Sequence, residues 1–245
     1  MPKFFVEPYQ IENNTVTIFG SDAAHISYSL RMAKGEHICI CDGQNHEYDC
    51  VLQDFLPDRV VARVVSVSEN DNEAPVKIYL YQALPKGDKL ETVIQKSVEC
   101  GVFEIVPFES ERCVARVKAD AEEKKTVRRN RIAEEAAKQC RRGYVPRVLS
   151  TVPFEKALSQ AAKADLALIC YEDEVGTTLK QALRMTKNEC KSISVMIGSE
   201  GGFSQKEVEQ AKNAGLRPVS LGKRILRTET APIFVLSALS YEFEL

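Results

Sequence analysis

Two stretches decide the fold: Gly198-Ser199-Glu200-Gly201-Gly202, and Leu221-Gly222-Lys223-Arg224-Ile225-Leu226-Arg227-Thr228-Glu229-Thr230-Ala231. The first follows an apolar run at 192–197, the second an apolar run at 217–221. Both runs read as strands, and the segments that come next, 205–213 and 229–241, carry helical spacing. Glycine lets a backbone approach a ligand that a Cβ would exclude. In open α/β sheets, ligands lie beyond the carboxyl ends of the strands. The two loops therefore predict a ligand pocket at one edge of an α/β sheet, with Gly198, Gly201, Gly202 and Gly222 facing the ligand.

The same alternation extends upstream. Strands are predicted at 76–83, 103–107 and 166–170, and helices at about 90–101, 122–141, 154–163 and 178–186. Strands alternating with helices imply a mostly parallel sheet covered on both faces. Residues 1–70 differ. Short β-branched runs at 3–6, 15–18, 37–41, 48–52 and 59–65, punctuated by Asp42-Gly43 and Pro57-Asp58, suggest a small barrel with one helix at 23–29 capped by Ser21 or Asp22. The polar, acidic stretch 66–75 reads as the linker. Two domains follow, 1–70 and 74–245.

The 245 residues are 44% hydrophobic with a formal net charge of −2, which supplies a core and argues against a wholly basic nucleic-acid coat. No apolar run reaches bilayer length and no signal-peptide h-region opens the chain, so a soluble cytoplasmic protein with no membrane partner is expected. The eight cysteines (Cys39, Cys41, Cys50, Cys100, Cys113, Cys140, Cys170 and Cys190) include no C-x-x-C pair. They read as buried free thiols, and no metal site is expected. His25, His37 and His46 are too scattered for a ligand set. G-x-G-x-x-G, the phosphate loop ending GK[ST] and the G-x-S-x-G elbow are all missing. Between Arg112 and Arg147 stand twelve cations, Lys118 among them, against five anions, a surplus that predicts a phosphate-binding surface.

Further segments complete a pattern: Phe4-Phe5-Val6, Ser29-Leu30-Arg31-Met32, Leu84-Pro85-Lys86-Gly87-Asp88-Lys89, Gln95-Lys96, Glu99-Cys100-Gly101-Val102, Ser110-Glu111-Arg112, Glu135-Ala136-Ala137-Lys138-Gln139-Cys140 with Arg142, and Val145-Pro146. With the two pocket loops, they resemble the SPOUT class of RNA methyltransferases, and within it the RsmE family of 16S ribosomal RNA uridine-N3 methyltransferases. The resemblance implies an α/β SPOUT-type knotted methyltransferase domain preceded by a small PUA-like β-barrel domain that binds RNA. It implies S-adenosylmethionine held by Ile197, Gly198, Ser199, Glu200, Gly201 and Gly202 on one wall. Leu221, Gly222, Ile225, Leu226 and Arg227 form a second wall, and Cys170, Tyr171 and Glu172 a third. It implies a homodimer acting on 16S rRNA or the assembled small ribosomal subunit, with no DNA partner. Three positions depart from the pattern: Ser199 and Arg129 stand where Pro and Trp are usual, and Lys3 where Arg is frequent.

Uridine N3 carries a proton at neutral pH and must lose it to attack a methyl sulfonium, and the base must be unpaired or flipped to be reached. Catalysis then rests on positioning and on support of the uridine anion. Arg227 is expected to supply that support, with Arg142 holding RNA across the subunit interface. Glu229, Glu200 and water are all open as the proton acceptor. Lys3, Arg31, Arg112, Arg128, Arg131 and Arg142 are the expected RNA contacts. Two other readings are a SPOUT enzyme acting on a ribose 2′-hydroxyl or another base, and a non-catalytic RNA-binding assembly protein; cofactor binding and nucleoside mapping separate them.

Overall fold

The computed structural model describes residues 1–116, 119–186 and 190–245. Lys118, counted in the basic region, lies outside them. The chain divides into two compact units: Met1–Glu73 with Ala137–Val145, and Ala74–Ala136 with Pro146–Leu245.

The first unit is built on a sheet in the order β1-β4-β5-β6-β3-β2. Its strands are β1 (Lys3–Phe5), β2 (Ile11–Glu12), β3 (Thr15–Phe19), β4 (His37–Cys41), β5 (His46–Phe55) and β6 (Arg59–Glu69). β1 runs parallel to β4 and the other pairs are antiparallel. One face of each strand is apolar. Val16, Ile18, Ile38, Ile40, Leu52, Val60 and Ala62 point into a common core with Ile26, the alternation expected of a sheet with one buried face. Two register shifts in the β5–β6 ladder, at Asp49/Cys50 and Leu52/Asp54, bend these long strands.

Two expectations change here. β6 continues through Ser66–Glu69, paired with 46–49, so the first part of the expected linker is strand. Its polar residues are exposed on both faces, so hydrophobic patterning carried no sign of the ladder. The short helix (α1) occupies Gly20–Ala24 and widens into a π-type turn at His25–Ser29; its N-cap is Phe19, with no capping side chain, rather than Ser21 or Asp22.

The second unit carries a sheet in the order β10-β8-β7-β12-β11-β13, with β9 also on β8, and every pair is parallel. The strands are β7 (Lys77–Ala83), β8 (Glu104–Glu109), β9 (Arg147–Val148), β10 (Val152–Pro153), β11 (Leu166–Cys170), β12 (Ser192–Ile197) and β13 (Arg217–Val219). The helices are α2 (Lys89–Glu99), α3 (Ala119–Gln139), α4 (Phe154–Ala161), α5 (Leu179–Arg184), α6 (Gln205–Asn213) and α7 (Thr230–Phe243). β11 is buried along its whole length and β12 over Ile193–Ile197, as a parallel strand covered on both faces must be. β11 lies between β12 and β13, although it precedes both in the chain. That order brings three successive carboxyl ends together.

Candidate active site

The loops leaving β11, β12 and β13 enclose an open cleft. Its walls are Cys170–Glu172, Ile197–Glu200 with Gly202, and Ser220–Leu226, closed by Thr228 and Ala231. The β12 loop is a tight turn in which the Gly202 N–H donates to Ser199 O at 3.0 Å. Gly198 and Gly202 face each other so closely that a Cβ on Gly198 would lie 3.0 Å from the Gly202 backbone. Gly202 itself has φ +64°, and a Cβ there would meet the Glu172 carboxylate at 2.1 Å. Gly198 is thus set by the backbone it packs against and Gly202 by its positive φ, with Glu172 laid over Gly202. Phe203 drives the loop end into the core, stacked on Phe108 at 6.3 Å. Ser204 and Glu207 then form a capping box that opens α6.

Side chains outside the cleft brace this loop. The Arg112 Nη1 donates to Gly201 O at 3.0 Å, and the Ser204 hydroxyl donates to Glu111 at 2.7 Å. The Lys89 ammonium binds Glu200 Oε1 at 2.8 Å and lies 3.5 Å from Glu229 Oε2, joining the loop to the start of α7. Partial burial pushes the Glu200 carboxyl up, but hydrogen bonds from Lys89 and nearby backbone N–H groups outweigh it and hold it below the ordinary carboxylate range. The Glu200 hydrogen bond in turn raises Lys89. Glu200 is therefore ionised and paired at neutral pH, which makes it a weak proton acceptor. Burial pushes the Cys170 thiol up to about 12, so it lines the wall as a small apolar group.

The segment 221–228 is pinned from behind. The Thr228 hydroxyl donates to Gly198 O at 2.7 Å and accepts from Gln82 Nε2 at 3.0 Å. Thr228 is therefore a relay between strand ends and not the α7 cap, which is Glu229. Sequence reading missed Gln82, whose signal was a fully buried amide inside an otherwise apolar strand. It also left Ser220 off the wall.

The RNA methyltransferase domain model matches residues 72–240. The ribosomal RNA small subunit methyltransferase E of Bacillus subtilis is 36% identical over 251 residues, covering 100% of this chain and 98% of its own length. The protein of the same name from Mesomycoplasma hyopneumoniae is 33% identical, covering 97% of this chain and 98% of its own. The chain belongs to the ribosomal RNA small subunit methyltransferase E family. A solved family member from Neisseria gonorrhoeae, bound to S-adenosyl methionine, has a TM-score of 0.86 and 33% identity, covering 98% of this chain and 97% of its own.

The cleft of this family member fits such a nucleoside cofactor. Ile197, Leu221 and Leu226 offer apolar walls, and Glu172 offers a carboxylate. The Ser199 hydroxyl is buried in the wall with no hydrogen-bond partner among the described residues. An orphaned buried hydroxyl is costly unless a ligand completes it.

The remaining expected residues fall in four groups. Gly201 does not line the cleft; it faces Arg112, and a Cβ there would lie 3.0 Å from the Arg112 Cβ. Arg227 sits between two lining residues with its side chain 83% exposed, 4.0 Å from Glu229 Oε1. Arg31, Arg112, Arg128 and Arg131 are exposed, although Arg128 pairs with Glu91 at 2.9 Å. Lys3 and Arg142 are buried inside the first unit. Lys3 pairs with Glu47 and donates to Arg141 O at 2.9 Å; Arg142 pairs with Glu73 at 2.6 Å. Neither offers its charge to solvent, so both hold residues 137–145 to their own unit. Arg129, at the position where Trp is usual, is buried against Glu122 at 3.1 Å.

Proposed function

We propose that this protein transfers a methyl group from S-adenosylmethionine to N3 of a uridine in the 16S RNA of the small ribosomal subunit. The observation that carries the reading is the cleft at the carboxyl ends of β11, β12 and β13, with an unpartnered Ser199 hydroxyl in its wall and an exposed guanidinium, Arg227, on its rim. When bound, the cofactor supplies an electrophilic methyl on a sulfonium. The chain's own residues orient it: Ser199 completes a hydrogen bond, and Glu172 presents a carboxylate to its hydroxyl or cationic groups. Arg227 supports the negative charge that develops on uridine as N3 loses its proton. Glu229, between Lys89 and Arg227, keeps that guanidinium in place.

In this reading, residues 197–202 and 221–228 belong to a trefoil knot of the SPOUT kind, and 74–245 form the methyltransferase domain. The first unit is a PUA-like barrel that binds RNA. Arg31, Arg112, Arg128 and Arg131 face phosphate, joined by the exposed Lys124 and Lys125 of α3. The protein works in the cytoplasm as a homodimer; exposed Phe234, Tyr241 and Ile225 on and beside α7 are the apolar surface that supports association. Nucleoside analysis of rRNA from a strain lacking the protein tests the reading. Loss of one N3-methyluridine from 16S RNA is expected; an unchanged nucleoside profile would overturn it.

A further inference from the structure

β4 reads His37-Ile38-Cys39-Ile40-Cys41. Strand alternation sends Ile38 and Ile40 into the core and leaves Cys39 and Cys41 together on the opposite face. The register sets Lys3 of β1 beside Cys39, and Glu47 of β5 beside Cys41. The two thiols are 7% and 0% exposed. Their Sγ atoms and a Glu47 carboxylate oxygen all lie within 4.8 Å of one another. The carbonyls of Arg141 and Arg142 both accept from Lys3, and Asn70 donates to Glu47. Asp49, also opposite Cys39, is held by His37 Nδ1 at 2.9 Å.

We propose that Cys39, Cys41 and Glu47 form a binding site for one thiophilic divalent cation of the zinc class. Paired thiolates with one carboxylate are a donor set such ions accept. Zn–S of about 2.3 Å and Zn–O of about 2.1 Å at a tetrahedral angle place S and O roughly 3.6 Å apart. Cys41 Sγ and Glu47 Oε1 stand at 3.9 Å, close to that spacing; the same oxygen accepts from Lys3 and Asn70, so these donors shift toward Oε2 as the cation replaces the thiol proton. Charge also balances. With neutral thiols, Glu47 and Lys3 cancel. Binding breaks two S–H bonds, sends two protons to solvent and forms two metal–sulfur bonds. Two thiolates, one carboxylate, one divalent cation and the Lys3 ammonium again sum to zero, which a buried site requires. Lys3 then acts as the outer partner that fixes the carboxylate. The pair is spaced C-x-C, so a search for C-x-x-C passes over it, and its third donor comes from the neighbouring strand.

Titration of the reduced, full-length protein with Cd²⁺ tests this through the thiolate-to-cadmium charge-transfer absorption. One cadmium per chain is expected to produce the band. C39S and C41S should each abolish it, E47Q should weaken binding at least tenfold, and C190S should leave it intact. Zinc should raise the thermal midpoint of the wild type, since a ligand that binds the folded state stabilises it, and leave that of C41S unmoved. X-ray absorption of the zinc-loaded wild type needs no variant and should read two sulfur neighbours, with nitrogen or oxygen completing the shell. A band that survives C39S and C41S, a shell with any other sulfur count, or no zinc retained through gel filtration would overturn the assignment.

Discussion

Thr228→Val removes one hydroxyl and keeps the volume nearly unchanged, so it isolates the relay behind the cleft. In the wild type that hydroxyl satisfies Gly198 O at 2.7 Å and Gln82 Nε2 at 3.0 Å, and Thr228 is 5% exposed. Gly198 lines the open cleft and is half-buried, and its carbonyl keeps a longer contact from Gln82 Nε2 at 3.5 Å, which reduces its share of the loss. Each buried polar group stripped of its partner costs about 1–3 kcal/mol. Gln82 Nε2 has a fallback, Ala83 O at 3.0 Å, which softens its share. A loss of about 1–3 kcal/mol follows for the second unit, or roughly 2–12 °C in Tm. The damage is local to the loop that carries Gly198 and Ser199, so cofactor affinity should fall as well. Thr228→Ser restores the hydroxyl and should recover most of both. Urea unfolding with calorimetric titration of S-adenosylmethionine reads the two effects. If Thr228→Val stayed within 0.5 kcal/mol of wild type, roughly the range of an ordinary surface change, and bound cofactor normally, the relay would not hold the cleft and the reasoning would fail.

Gly202→Ala should destabilise the loop mainly through φ +64°, with a second, smaller part from displacing the flexible Glu172 carboxylate. Glu172→Ala should relieve only the second part in a double-mutant cycle, leaving about 1–2 kcal/mol of backbone strain; full rescue would mean the backbone there is unstrained. Arg227→Ala should leave stability within about 0.5 kcal/mol of wild type, because the side chain is 83% exposed. It should lower kcat far more than it weakens cofactor or RNA binding, with Arg227→Lys recovering part of the loss; a proportional rise in the cofactor Kd would make it a cofactor clamp instead. Neutralising Lys125 and Arg131, both exposed on α3, should flatten the salt dependence of RNA binding by about one unit of slope for each phosphate no longer neutralised. An unaltered slope would mean that face only meets solvent.

The second unit was legible because its strands are apolar runs with glycine-bearing loops after them. Ile193–Ile197 followed by Gly198 needs nothing beyond local order to be read as a strand end. The purpose of those glycines was less visible. Gly198 and Gly202 answer to each other across one turn, and Gly202 answers to Glu172 and Gly201 to Arg112, residues distant in the chain that no periodicity records. The same limit explains the cations. Lys3, standing where Arg is frequent, and Arg142, in a basic stretch, look like RNA contacts, but each finds a carboxylate inside the first unit, Glu47 and Glu73. Net charge over a segment cannot tell a cation that faces solvent from one neutralised by a residue far away in sequence. Short ladder pieces such as β9 and β10 carry too few residues to show a pattern. Ser66–Glu69 shows the converse case, a strand whose polar residues hid it among linker composition.

The most direct measurement supplies purified protein with small ribosomal subunits from a strain lacking it, together with S-adenosylmethionine labelled on the methyl group. Digestion and mass analysis then identify the labelled nucleoside. The label should appear in one N3-methyluridine of the 16S RNA, and should be lost when Thr228→Val disrupts the cleft. Label in a 2′-O-methyl nucleoside or on another base, or no transfer by a protein that binds the cofactor, would contradict it.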